Sequence, residues 1–189
     1  MGAKPPRFDF VTDVAGDTQM ERVLVHGHDI VVFGKGYRGG TSFAFITVGV
    51  AAAKDVLHVT ARDLTGDGKA EIIVRGVLHA KASKELGGDV VDRHALFIYG
   101  VTDGGVQRVF AAETGRSLGE NSILGAVAFL PAAQGLSIEL RPARAIGWTE
   151  QSYPFPPDTT AAGGLEPLLL PWSGSKKAYV YNGNAFVAR

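Results

Sequence analysis

The side chains best placed to do chemistry in this chain sit in two short acidic turns. DLTGDGKAEIIV, beginning at Asp63, spaces carboxylates at Asp63, Asp67 and Glu71 around Gly66 and Gly68, then runs into a β-branched stretch. DVAGDTQMERVLV, beginning at Asp13, repeats the plan: Asp13, Gly16, Asp17 and Glu21 match Asp63, Gly66, Asp67 and Glu71 at a constant spacing of 50. Carboxylates so placed have two uses. Short acidic side chains accept hydrogen bonds from the backbone amides of their own turn. Several together can instead offer hard oxygens to calcium, which takes about six to eight.

Other candidate chemistry is sparser. His26 and His28 are two apart, a spacing that can put both imidazoles on one face of a strand, yet two ligands do not complete a transition-metal site. Ser117, Ser122 and Ser137 lack a nucleophile elbow, and Glu113 with Glu120 has no spacing that marks an acid/base pair. FGKGYRGG (33–40) and TGDGK (65–69) look superficially like phosphate-cradling loops but have neither P-loop spacing nor a following helical pattern, so both are read as strand connections. The first is expected to project Lys35, Tyr37 and Arg38 as a recognition surface, because loops on a rigid sheet often carry binding.

Positioning of these residues falls to strands. The chain holds 25 glycines, and its apolar runs are short, β-branched or aromatic, and bounded by Gly, Asp, Asn or Pro. ERVLVHG, DIVVFG, FAFITV, EIIVRG and HALFIYG read as strands, as do VQRVF, ILGAVAF, LSIEL and EPLLLPW. KAYVYNGNAFV reads as a closing hairpin with a type I′ turn at Asn182 and Gly183. The count is about twelve strands. AAAKDV (51–56) and HAKASKEL (79–86) lack an apolar stripe and are assigned to loops, as is the Pro-, Gly- and Thr-rich segment 153–164. Trp148 and Trp172 flank that segment and are expected to anchor the core or the loop.

HDIVVFG from His28 and HALFIYG from His94 extend the duplication, with an insertion over 77–93 absorbing the extra spacing. A unit of this size suggests a blade-like supersecondary module that buries its faces against neighbours. The expected organisation is a single all-β domain, 1–189, with repeat units of roughly 8–50 and 56–113 and a divergent C-terminal unit over 120–189. The fold class is antiparallel blade-like repeats, a small or irregular β-propeller-like fold, with a β-sandwich as the alternative.

DLTGDGKAEIIV resembles the signature turn of FG-GAP or VCBS-type repeats, the integrin-like β-propeller repeat family, over about a dozen residues; the Asp13 turn is a degenerate relative. The resemblance implies a calcium loop whose ligands map to Asp63, Thr65, Asp67, the carbonyl of Lys69, and Glu71, with Gly68 allowing the sharp bend. Thr65 is a neutral hydroxyl where strong members carry Asp or Asn, and Glu71 is one methylene longer than the usual Asp. In the first turn Ala15 has no ligand atom and Thr18 replaces the glycine, so that turn is expected to be metal-free. The resemblance also implies an extracytoplasmic location: periplasm, cell surface or outside the cell.

Composition narrows the function classes. With 19 basic and 19 acidic residues, the chain lacks the electrostatic footprint of a nucleic-acid or anionic-membrane binder. It has no cysteine, which removes disulfides, thiolate metal sites and a thiol nucleophile. MGAKPPRFDF lacks the apolar run of a signal peptide, and no stretch approaches the roughly 20 apolar residues of a membrane helix. The expectation is a noncatalytic binding or scaffold module whose partner is another protein or an extracellular glycan. The alternative is a carbohydrate-binding module or accessory domain of an exported hydrolase, for which exposed Trp148, Tyr153, Phe155 or Trp172 beside a polar concavity would be the mark.

Overall fold

A computed structural model describes residues 5–86, 90–156 and 164–189. Its first sheet is an antiparallel meander of β1 (Phe8–Thr12), β2 (Glu21–His26), β3 (Asp29–Phe33) and β4 (Phe43–Thr47). The period of two is plain in β2, where Val23 and Val25 are buried while Arg22 and Leu24 lie on the other face. Eight strands follow in sequential order in a second sheet: β5 (Val56–Arg62), β6 (Glu71–Lys81), β7 (Val90–Thr102), β8 (Gly105–Leu118), β9 (Asn121–Pro131), β10 (Leu136–Ile146), β11 (Lys177–Tyr181) and β12 (Phe186–Ala188). Every pairing between these strands is antiparallel, and neither sheet closes into a barrel. The fold is all-β, built of open antiparallel sheets, an arrangement consistent with a β-sandwich.

The long sheet splits in its middle. β8 pairs with β9 only from Gly115 to Leu118. Nearer its start, β8 takes a parallel bridge from Glu166 instead, with Glu113 N donating to Glu166 O and Glu166 N to Ala111 O, both at 2.8 Å. The strands β6 to β8 are therefore covered on both faces, whereas the edge strand β5 buries only Val56 and Val59. Ile72, Val74, Phe97 and Tyr99 pack against Val23, Val25, Ile30 and Val32 of the first sheet. Their sequence neighbours Ile73, Leu96, Ile98 and Phe110 pack on the opposite side against Ile138, Leu140, Tyr179 and Phe186. Double coverage explains why EIIV is an uninterrupted apolar run, since a strand with no solvent face has no polar alternation. Each such side chain contributes about 1.5–3 kcal/mol on burial.

Several strand assignments need correction. EPLLLPW contributes only the bridge at Glu166 and a 3₁₀ turn over Pro171–Ser173. Its two prolines remove ladder donors. The closing hairpin is present, but Tyr181 pairs with Phe186, so four residues form the loop rather than a two-residue type I′ turn. Gly183 alone of these has positive φ, and Asn182 closes the loop by accepting the amides of Asn184 and Ala185. Residues 77–81 lengthen β6 and 90–93 lengthen β7, so His79–Lys81 are strand rather than loop, and β1 and β5 are strands whose sequences, FDFVT and VLHVTAR, alternate too weakly to stand out. The described helical structure consists of short 3₁₀ turns, none long and apolar enough to cross a membrane. Of the loop at 153–164, residues 157–163 lie outside those described.

Candidate functional site

The two acidic turns are built by the same set of hydrogen bonds. In the second, Asp63 Oδ1 accepts the Gly66 amide at 2.7 Å, Asp63 Oδ2 the Gly68 amide at 3.0 Å, and Asp67 Oδ1 the Lys69 amide at 3.0 Å. In the first, Asp13 takes the Gly16 and Thr18 amides at 2.6 and 3.2 Å, and Asp17 takes that of Gln19 at 3.0 Å. The final acidic residue of each turn points inward. Glu71 Oε2 accepts the Leu64 and Thr65 amides at 2.7 and 3.2 Å, and Glu21 Oε2 accepts those of Val14 and Ala15 at 3.0 and 3.1 Å. Glu71 is 5% exposed and Glu21 is 0% exposed. Each turn is thus a corner folded around three carboxylates, with the last clamped beneath the start of the turn.

Two sequence differences between the copies have local consequences. Thr65 Oγ1 donates to Glu71 Oε1 at 3.3 Å, whereas Ala15 has no hydroxyl, and Glu21 Oε1 is buried without a hydrogen-bond partner. Gly68 has φ +86°, and Thr18 adopts φ +67° at the matching position, a left-handed backbone that a β-branched residue rarely accepts. The glycines also set close approaches. A Cβ on Gly66 would stand 2.5 Å from Gly135 N, and one on Gly36 would collide with Glu21 Oε1 and Asp17 Oδ1.

The corners also join neighbouring units. Ala70 N donates to Asp13 O at 2.9 Å, linking the first turn to the second, and Leu136 N donates to Leu64 O at 2.7 Å, linking the second to the β9–β10 turn. Burial pushes the Glu71 carboxyl above its ordinary value, and the nearby Asp67 charge adds to this against the pull of the Leu64 and Thr65 amides. The Tyr181 phenol is raised by burial and by the charges of Glu71 and Asp67. Of the five mapped ligand positions, Asp63, Thr65, Asp67 and Glu71 share this one corner, where both Asp63 oxygens, Asp67 Oδ1 and both Glu71 oxygens accept protein donors and Thr65 Oγ1 donates to Glu71. No group of three or more His, Asp or Glu side chains with metal-holding geometry occurs among the described residues.

The remaining candidates separate. His28 Nδ1 is tied to Val50 O at 2.9 Å. Tyr37 is buried rather than projected, while Lys35 and Arg38 are exposed, the Arg38 guanidinium donating to the Asp103 carbonyl and lying over the Tyr37 ring. Trp148 is buried, with Tyr153 and Phe155 edge to face against it at centroid distances of 5.4 and 5.7 Å, and Trp172 packs edge to face on Tyr153 at 5.3 Å, so these rings form a half-buried aromatic cluster.

Two charged clusters were not legible in the sequence because their members are distant in the chain. Glu113 accepts four N–H donors from Arg93 and Arg116 at 2.6–2.8 Å, so both its oxygens are engaged, and Arg116 continues to Tyr153 Oη at 3.1 Å. A cleft of about 410 Å³ beside them is lined by Lys81, Arg93, Arg116 and Phe155. His79 lies between Asp55, 3.0 Å from Nε2, and Asp92, 2.7 Å from Nδ1, which together hold its pKa above the ordinary value. Comparison with protein-family models, curated proteins and solved structures found no match.

Proposed function

We propose that this chain is a noncatalytic, extracytoplasmic binding or scaffold module of FG-GAP-like type, in which acidic corners staple stacked four-stranded units. The units are β1 to β4, β5 to β8 and β9 to β12, an open propeller-like series within a single domain. What supports this reading is the one-to-one match of five hydrogen bonds between the Asp13 and Asp63 corners, which chance resemblance of two loops does not produce. The partner class is another protein or an extracellular glycan. In a binding assay against glycan and envelope-protein arrays, saturable binding with no turnover of generic ester, glycoside and peptide substrates is expected. Turnover that tracks the purified protein would refute the noncatalytic assignment.

A second reading places calcium at Asp63, Thr65, Asp67, the Lys69 carbonyl and Glu71. It is favoured by the gathering of the Asp63, Asp67 and Glu71 carboxylates in one corner. Water would complete the shell, since three carboxylates fall short of the ligand number calcium prefers. Calcium bound to the folded state raises the melting temperature by mass action, and Asp67→Ala removes the rise. An unchanged calorimetric midpoint at about millimolar calcium, the weak end of calcium-module affinity, leaves the corner as a hydrogen-bonded staple alone.

A further inference from the structure

We infer that the outer face of the first sheet is a self-association surface, and that two copies of this chain pack it face to face about a twofold axis. Strand register defines the face. Val11, Arg22, Phe33 and Phe43 lie in one cross-strand row, and Asp9, Leu24, Val31 and Phe45 in the next. Their neighbours Val23, Val25, Ile30, Val32 and Ala44 point the other way, into the core. Six of the eight side chains in these two rows are apolar, and the next outward row, His26, Asp29 and Thr47, is polar, so the face has an apolar centre with a polar rim along one side.

Exposure on this face is large. Phe43 is 63% exposed, Phe45 61% and Val11 62%, and the two phenylalanine rings lie 6.4 Å apart. A phenylalanine carries about 150–250 Å² of surface, so these two alone leave roughly 250 Å² bare. With Val11 and the partly covered Leu24, Val31 and Phe33, the face amounts to about 400–500 Å² per copy, and pairing two copies buries about 1,000 Å², the lower bound of a specific interface.

A second copy is the occupant that the charges favour. Within the two apolar rows Arg22 and Asp9 neutralise each other at 2.6 Å, and the Asp29 carboxylate lies at the rim, where it accepts the Thr47 hydroxyl, so the apolar centre meets its own image without like-charge repulsion. Head-to-tail stacking is disfavoured because, on β10 in the last unit, the face opposite Ile138 and Leu140 presents the exposed Arg141 and the nearby exposed Lys176, both paired with the buried Glu139, Lys176 at 2.9 Å. Burying Phe43 and Phe45 there would desolvate that network. The inference does not depend on the repeat or calcium readings.

Sedimentation and light scattering of the full chain, through about 1 mM, the weak limit of specific association, should give twice the chain mass. Phe43→Ser with Phe45→Ser should return a single-chain mass with a preserved melting transition, since both rings are mostly exposed. Because the chain has no cysteine, Val31→Cys in the otherwise unaltered protein should be joined by a short bis-maleimide at least tenfold faster than exposed Leu57→Cys. A single-chain mass throughout the range, a dimer that survives the double substitution, or equal cross-linking at Val31 and Leu57 would each overturn the inference.

Discussion

Glu71 offers a direct way to separate a staple from an ion site. Its Oε2 satisfies two buried amides, Leu64 N at 2.7 Å and Thr65 N at 3.2 Å, and its Oε1 takes the Thr65 hydroxyl. Glu71→Ala leaves those donors unmatched in a 5% exposed site. At about 1–3 kcal/mol per buried unsatisfied donor, the expected loss is about 2–5 kcal/mol. Glu71→Gln keeps a carbonyl oxygen for both amides and removes the buried charge, so its cost should stay within about 1 kcal/mol.

The pH dependence of that site has a definite sign. The folded-state pKa of Glu71 is raised above 4.5, so the folded protein binds the proton more tightly than the unfolded chain. This contribution is fully present below 4.5 and is lost as pH rises through the folded value. Urea unfolding at about pH 4 and about pH 7, either side of the carboxylate range, should show Glu71→Gln improving relative to the natural protein at the higher pH. If Glu71→Gln is as damaging as Glu71→Ala at about pH 7, carboxylate charge itself is required, and the acceptor argument fails.

Three further outcomes follow from the geometry. Thr18→Gly should relieve the left-handed strain at φ +67° and raise stability by about 1 kcal/mol, with Gly68→Thr lowering it by a similar amount in thermal melts; no change in either would mean that the turn adapts. Gly66→Ala, whose Cβ meets Gly135 N at 2.5 Å, should cost more than about 2 kcal/mol, whereas Gly16→Ala, which meets only the flexible Lys69 side chain, should cost about 1 kcal/mol; equal losses in denaturant curves would contradict the corner-to-corner packing. His79 should titrate above 6.5 by NMR, and Asp55→Asn should lower its midpoint, because Asp55 is the larger cause of the shift; the clamp's stabilisation is complete below 6.5 and disappears as pH rises through the folded value. A midpoint unmoved by Asp55→Asn would place the effect elsewhere.

What was legible from residue order alone was local. Alternating or continuous apolar runs bounded by glycine marked most strands, and the paired Asp-x-x-Gly-Asp turns marked the two corners, because their hydrogen bonds close within nine residues of chain. The same order misjudged EPLLLPW and the Asn182 turn, where apolar content or an Asn-Gly pair fits more than one backbone path. It also left Glu71 between solvent and core, since burial depends on which sheet covers the corner. Tertiary packing alone decided that the middle strands are covered on both faces, that Trp148 is enclosed by aromatic rings, and that Arg93 and Arg116 converge on Glu113. The sheet coverage and the Arg93 to Glu113 pairing join segments far apart in the chain, and even the nearer contacts of Glu113 with Arg116 and of Trp148 with Tyr153 depend on how their strands and loop are packed, so no spacing encodes them.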